Sequence, residues 1–282
     1  MVSIDIPPRA LAVCEEAARA GGRVLLDWVG RFAVSSKGPR DLVTEADVAS
    51  QREIRRILLG GFPDHGFVGE ESLPEHAGDG LAGRSAAGPP RYRWVVDPLD
   101  GTSNYVHGFP AWCVSVALAF GDEILVAAVH DPLRDECYTA QRGGGATLNG
   151  RPIAVAGTPS LAESLVAISF PPHVEADSPP IADFLAVLPR VHSVRRSGST
   201  ALNLAWLACG RLDAFWVRRI ACWDMAAGIL LVREAGGSVV GFARGRIASP
   251  PTAAIPLDDP AFIAACSPQV LDELSAVLIA SG

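Results

Sequence analysis

Two carboxylates three residues apart, followed at once by a glycine and two hydroxyl residues, make Asp97-Pro98-Leu99-Asp100-Gly101-Thr102-Ser103-Asn104 the stretch with the most potential chemistry. Carboxylate and carbonyl oxygens suit Mg²⁺, which takes few protein ligands and leaves room for water and phosphate oxygens. Asp97, the main-chain carbonyl of Leu99 and Asp100 can supply such ligands from one turn, which Pro98 stiffens by fixing its own φ. Gly101 lets the backbone approach closely, and the consecutive N–H groups after it can form an anion-binding nest. The hydroxyl of Thr102 can hold a water beside the metal. These residue types suggest a metal site joined to a phosphate site; read alone, they also suit an Asx turn closing a strand.

Three further acidic positions bear on that choice. Glu70-Glu71-Ser72 follows the apolar pair Phe67-Val68, which puts acids at the end of a short strand, where an open α/β site needs them. Trp223-Asp224 opens a helix, where Asp is also an ordinary N-cap. Asp47, three residues after Thr44, is equally a capping residue at N3. Capping does not predict their joint occurrence, with every acid bordering a hydrophobic segment and the set spread over both halves of the chain. A divalent-metal cleft accounts for them together.

The elements that must position these groups can be read from periodicity. Apolar residues at near-helical spacing (Leu11, Cys14, Ala17, Ala18, Val24, Leu25, Trp28) predict a helix over about 8–28. Thr44 is expected to cap a second helix with Val48, Ile54, Ile57 and Leu58 inward. Residues 92–96 read as a strand ending at Asp97, and residues 112–120 and 123–130 as strands joined by a tight turn at Gly121-Asp122, hence antiparallel. Gly78 to Pro90 reads as a mobile loop. Later strands are expected over 165–170, 191–194, 213–217, 239–242 and 261–266, with helices over 200–209 and 224–235. Pro171-Pro172 and Pro179-Pro180 are expected to bracket a surface excursion.

Composition narrows the field. A chain of 282 residues, 49% hydrophobic and 20% charged, can bury a large core, and two lobes are expected, 1–155 and 156–282. The net charge of −7, with no basic block, argues against a nucleic-acid polymer as partner, so any phosphate must be met locally. Six scattered cysteines without a C-x-x-C pair point to free thiols in a reducing compartment. The first residues lack the layout of a signal peptide and no apolar run approaches a membrane span, so a soluble, cytoplasmic protein without membrane contact is expected.

Glu70-Glu71-Ser72, Asp97 through Asn104 and Trp223-Asp224-Met225-Ala226-Ala227-Gly228 resemble the signature motifs of the inositol monophosphatase family of Mg²⁺-dependent phosphomonoesterases. The likeness extends to residues 41–47, 106–110, 143–150 and 234–237, in order and at suitable spacing. It implies a five-layered α-β-α-β-α sandwich, an α+β N-terminal lobe and an α/β C-terminal lobe, with a metal cleft between them. By motif, Glu70, Asp97 and the Leu99 carbonyl would hold one Mg²⁺, and Asp97, Asp100 and Asp224 a second. A third, weaker ion would lie near Glu70. Thr102 and Asp47 would orient and deprotonate the attacking water with help from Glu70, and the N–H groups of Gly101, Thr102 and Ser103 would cradle the phosphate. The resemblance also implies a homodimer and inhibition by Li⁺.

Substrate choice departs from the family. Gly198-Ser199-Thr200-Ala201 resembles a segment that contacts the substrate ring, but Val217 stands where the family has a glutamate that hydrogen-bonds inositol hydroxyls. Valine cannot accept those bonds. Arg218 and Arg219 either face solvent or meet a second phosphate or carboxylate, and Lys37 either adds charge near the metals or is a surface lysine. The expected reaction is hydrolysis of a small phosphate monoester like inositol 1-phosphate. Histidinol phosphate, fructose 1,6-bisphosphate and 3′-phosphoadenosine 5′-phosphate are the alternatives, and a silent phosphoester-binding protein is the non-enzymatic one.

Overall fold

The computed structural model describes residues 4–38, 41–71, 92–171, 173–243, 246–247, 255–258 and 261–280. The expected loop from Gly78 to Pro90, Ser72 and the side chain of Lys37 lie outside the described residues.

Helix α1 (Ala10–Trp28) turns Cys14, Ala17, Ala18 and Leu25 inward, the face its spacing predicts. A small hairpin of β1 (Val34–Gly38) and β2 (Asp41–Thr44), with no counterpart in the sequence reading, delivers the chain to α2 (Glu45–Gly61). Thr44 caps α2, and Asp47 returns the contact to the Thr44 N–H, closing a capping box. Then come β3 (Gly66–Gly69), β4 (Tyr92–Asp100), the short α3 (Thr102–His107), β5 (Cys113–Phe120), β6 (Glu123–Asp131), β7 (Glu136–Gln141), β8 (Gly145–Leu148) and β9 (Arg151–Pro152). These seven strands form one sheet in chain order, with β3 parallel to β4 and the remaining pairs antiparallel.

The second half contributes β10 (Leu165–Ile168), α4 (Pro179–Val187), β11 (Ser193–Arg195), α5 (Thr200–Ala208), β12 (Ala214–Val217), α6 (Cys222–Glu234), β13 (Ser238–Ala243), β14 (Arg246–Ile247), β15 (Phe262–Ala265) and α7 (Pro268–Ala280). Its six strands order as β11-β10-β12-β15-β13-β14, with β11, β10 and β12 mutually parallel. Residues 173–178, between the two proline pairs, carry no helix or strand and lie at or near the surface, and Pro179 then opens a helix that the sequence reading did not include. Proline at its first turn needs no N–H partner and presets φ, so the same residue that suggested a breaker starts the element.

Alternation along the strands separates the layers. On β4, Trp94 and Val96 face a core shared with Leu25, Ile54 and Leu58 of the outer helices, while Val95 faces the opposite side. On β12, Phe215 and Val217 share Val95's core with Leu204 of α5 and Met225 and Leu231 of α6. Ala214 and Trp216 instead meet Leu271 and Leu274 of α7. The result is an α-β-α-β-α sandwich, with α5 and α6 buried between two sheets. A middle layer covered on both sides must be largely apolar, and α5 is, with Ala201, Leu202, Leu204, Ala205, Leu207 and Ala208 all buried.

Candidate active site

β4 does not stop at Asp97. It continues to Asp100, with its register against β5 interrupted between those two residues. The interruption lets both acids face the same way despite their odd spacing, since a regular strand would send residues three apart to opposite faces. Asp224, expected at a helix start as a possible N-cap, is the third residue of α6, and the cap position is Ala221, which has no side-chain capping bond. Asp224 is therefore not the N-cap; from the third position its carboxylate accepts from the Ala221 N–H.

One carboxylate oxygen from each of Asp97, Asp100 and Asp224 lies within 4.8 Å of the other two. Asp97 and Asp100 are buried, and among the described residues none of the three pairs with a lysine or arginine. Burial raises the Asp97 carboxyl well above the usual carboxylate range, and the negative charges of Glu70, Asp224 and Asp100 add to it. Asp224 is likewise raised, by burial and then by Asp100 and Glu70. Asp100 is raised to about 6, again mainly by burial, against the opposing pull of the Ser199 hydroxyl and the Ala201 N–H. Glu70 follows β3 directly, and its N–H donates to the Val96 carbonyl at 3.1 Å, which brings its charge beside the cluster. Like charges packed this closely out of water need a counter-charge, and an all-oxygen donor set selects a hard cation. The residues fit a divalent metal.

A second group adjoins this one. Thr102 Oγ1 lies 3.2 Å from Asp47 Oδ1 and 3.1 Å from the Leu99 carbonyl oxygen, and donates its single proton to one or the other. Asp47 is fully buried, and its second oxygen accepts from both the N–H and the hydroxyl of Thr44. The capping role and the site role of Asp47 thus fall on different oxygens of one carboxylate. The Leu99 N–H donates to Asp97 Oδ1 at 2.9 Å, so the turn orients its own acid. Gly101, Thr102 and Ser103 lie together where β4 passes into α3, and Ser103 is exposed.

The expected substrate residues divide. Ser199 and Thr200 are buried and their hydroxyls are already engaged. Ser199 Oγ donates to Asp100 Oδ2 at 2.8 Å and Thr200 pairs with Ser169, so both hydroxyls have partners within the protein and brace the site. The Ala201 N–H reaches the same Asp100 oxygen at 2.6 Å, which places a carboxylate at the start of α5, where free N–H groups favour it. A Ser at a helix start was the available signal for this, and it also caps Leu202. Gly198 lies one residue before them in a left-handed conformation.

Arg218 is a correction. Its guanidinium is bound at both Nε and Nη2 to the buried Asp183 of α4 and lies 4.9 Å over the Phe242 ring. The fork is committed to α4, which sequence reading had missed and with it the partner. Arg218→Ala is therefore expected to lower stability by about 3 kcal/mol, the cost of taking a bidentate ionic partner from a buried carboxylate, and to leave KM near native. A raised KM with an unchanged unfolding midpoint would return Arg218 to the substrate.

The acids also set a pH dependence in metal-free protein. Asp100 titrates near 3.9 when unfolded and near 6 when folded, so the folded state holds its proton more tightly. That contribution is present at low pH and is lost as pH rises through about 4 to 6, with Asp97 and Asp224 acting in the same sense. With chelator present, the melting temperature is expected to fall from pH 5 to pH 8. A flat profile would refute the crowding.

Layered fold, acid cluster and hydroxyl–carboxylate pair together define a class, the phosphomonoesterase hydrolases that act on small phosphate esters. The family model described as "Inositol monophosphatase family" matches residues 9–277, and the chain belongs to that family. Among its relatives, the inositol-1-monophosphatase of Rhizobium meliloti is 43% identical over 223 residues, 78% of this chain and 80% of that protein. The protein named Nus factor SuhB in Xylella fastidiosa is 41% identical, covering 83% and 82%. The crystal structure of the extragenic suppressor protein suhB from Bartonella henselae matches with a TM-score of 0.82 at 34% identity, covering 95% of this chain and 97% of that one. Among the described residues no helix is long and apolar enough to cross a membrane.

Proposed function

We propose that this protein hydrolyses a small phosphate monoester with Mg²⁺, at a cleft between parts 1–155 and 156–282 of the chain. The observation that carries this reading is the convergence of Asp97, Asp100 and Asp224 beside the Thr102–Asp47 pair. Two to three Mg²⁺ ions would be held by Glu70, Asp97, the Leu99 carbonyl, Asp100 and Asp224, and when bound would neutralise the phosphate and acidify a water. Thr102, with its proton directed to Asp47 or the Leu99 carbonyl, keeps its lone pairs for a hydrogen bond from the attacking water. As that water loses its proton to Thr102 Oγ1, the threonine proton passes to Asp47 Oδ1. The N–H groups of Gly101, Thr102 and Ser103 would orient the phosphate for in-line attack.

Inositol 1-phosphate is the first substrate to consider, since a relative carries that name. Val217, buried in the central core on β12, offers no acceptor to a polyol, which keeps histidinol phosphate, fructose 1,6-bisphosphate and 3′-phosphoadenosine 5′-phosphate in contention. A homodimer, Li⁺ inhibition and a cytoplasmic location belong to the same reading. The test is phosphate release across these four esters with Mg²⁺, using Asp97→Asn as blank. A preference names the substrate class, and no release above the blank on any ester would leave a phosphoester-binding protein.

A further inference from the structure

Asn104, on α3, is joined to both sides of the acid cluster. Its side-chain Nδ2 donates to the Ala111 carbonyl at 2.6 Å and to the Ser197 carbonyl at 2.8 Å. Two carbonyl acceptors on one atom fix the orientation of the amide, because its oxygen in that place would face two other oxygens. Ala111 leads into β5 of the first sheet, and Ser197 belongs to the turn that opens α5. That turn is tightly wound: Ser197 Oγ donates to Asn203 Oδ1 at 2.8 Å and the Ser199 N–H approaches Ser197 Oγ at 3.4 Å. Two residues after Ser197, Ser199 Oγ holds Asp100.

The backbone is built to admit this amide. A Cβ at Gly198, where φ is +90°, would lie 2.8 Å from Asn104 Nδ2 and 3.0 Å from Asn104 Oδ1. A Cβ at Gly101, where φ is +102°, would lie 2.9 Å from the Ala111 carbonyl that the amide grips. Real Cβ atoms do not tolerate such approaches, so both positions leave room for the same clasp. The segment carrying Asp100 and the 197–201 turn are thus tied twice. One tie passes through the Asp100 carboxylate, whose charge a bound cation would share. The other passes through a neutral amide that no cation alters.

We propose that Asn104 is a positioning residue. Its amide fixes the 197–201 turn against the start of α3, so that one Asp100 oxygen is held by Ser199 and Ala201 while the other stays aimed at the acid cluster before any cation arrives. The inference rests on the Mg²⁺-dependent reading. Without the clasp, ordering the turn must be driven by the cation, which weakens cation binding and slows turnover while KM for the ester changes little.

The experiment compares native protein with Asn104→Ala, Gly198→Ala and Tyr105→Phe. Tyr105 lies next to Asn104 on α3, but its hydroxyl donates at 2.6 Å to Leu25 of α1, so its loss loosens the helix without touching the clasp. Calorimetric titration with Mg²⁺ alone reads binding without turnover, and melting in chelator reads the fold. Asn104→Ala is expected to bind Mg²⁺ about 10-fold more weakly, the loss of one or two hydrogen bonds, and to lower kcat more than KM. Tyr105→Phe should lower the melting temperature and keep native Mg²⁺ affinity. Gly198→Ala, which crowds the amide without removing it, should follow Asn104→Ala and decides the matter if that variant fails to fold. Affinity within twofold of native in Asn104→Ala, or an equal loss in Tyr105→Phe, overturns the proposal alone; absence of Mg²⁺ binding by native protein overturns the metal-dependent reading with it.

Discussion

Asp97→Asn is expected to lose about 10³-fold or more in phosphate release and, in chelator, to melt about 3 °C above the native protein. The two effects have one cause. In metal-free protein burial and the neighbouring acids shift Asp97 toward its protonated form, with Asp224 as hydrogen-bond partner. Asparagine reproduces that form: its Oδ1 still accepts from the Leu99 N–H and its Nδ2 can donate toward Asp224. A buried like-charge contact disappears at no loss of volume, so stability rises where no cation is present. With saturating Mg²⁺ the order reverses, because ligand binding stabilises only the protein that can take it up. Melting curves with and without Mg²⁺, beside a phosphate-release assay, read both halves. Native activity in Asp97→Asn would remove the acid cluster from the mechanism, and an unchanged melting temperature in chelator would remove the crowding.

Thr102→Ala is the second large effect, expected at about 100-fold in kcat, the scale of a positioned proton-transfer group. Thr102 is only partly buried, so its loss should leave the melting temperature within a degree or two. Thr102→Ser keeps the hydroxyl and should stay within a few-fold of native. Asp47→Asn should be worse on both counts. Asp47 Oδ1 receives Thr102 and Oδ2 receives two hydrogen bonds from Thr44, whereas an amide has one oxygen to cover both sides. One side loses its acceptor, and either α2 loses its cap or Thr102 loses its partner. Full activity in Thr102→Ala would show that the pair does not orient the attacking water.

Much of this arrangement is legible in the sequence because local chemistry dictates it. Thr44 and Asp47 form the capping box that their types and spacing announce, and the 121–122 turn joins β5 to β6 antiparallel as expected. The misses occur where a distant partner decides. Asp97 looked like a strand end because proline and glycine follow it, but β5 pairs with the strand through Asp100 across an irregularity. Arg218 looked available because its partner, Asp183, lies 35 residues earlier on a helix hidden behind two prolines. Ser199 and Thr200 carry hydroxyls suited to a ligand, and only the fold shows them spent on Asp100 and Ser169. Asn104 sits inside the most informative stretch of the chain, yet nothing local announces an acceptor at Ser197, 93 residues away.

The helical layer between the sheets also governs how the site comes into being. Val95 and Val217, from opposite halves of the chain, share one apolar cluster with Leu204, Met225 and Leu231. Each half has an apolar cluster of its own on its outer side, but the central one is completed only by both, and each half would expose the face it now shares if the other were missing. Domains with separate interiors can melt in stages; a shared interior favours a single cooperative transition. Asp97 and Asp224 meet across that interior, so the acid cluster comes together only after both halves have folded onto the middle helices. During synthesis, a chain that has not yet released α6 from the ribosome holds most of the acids and has no cluster in which to gather them.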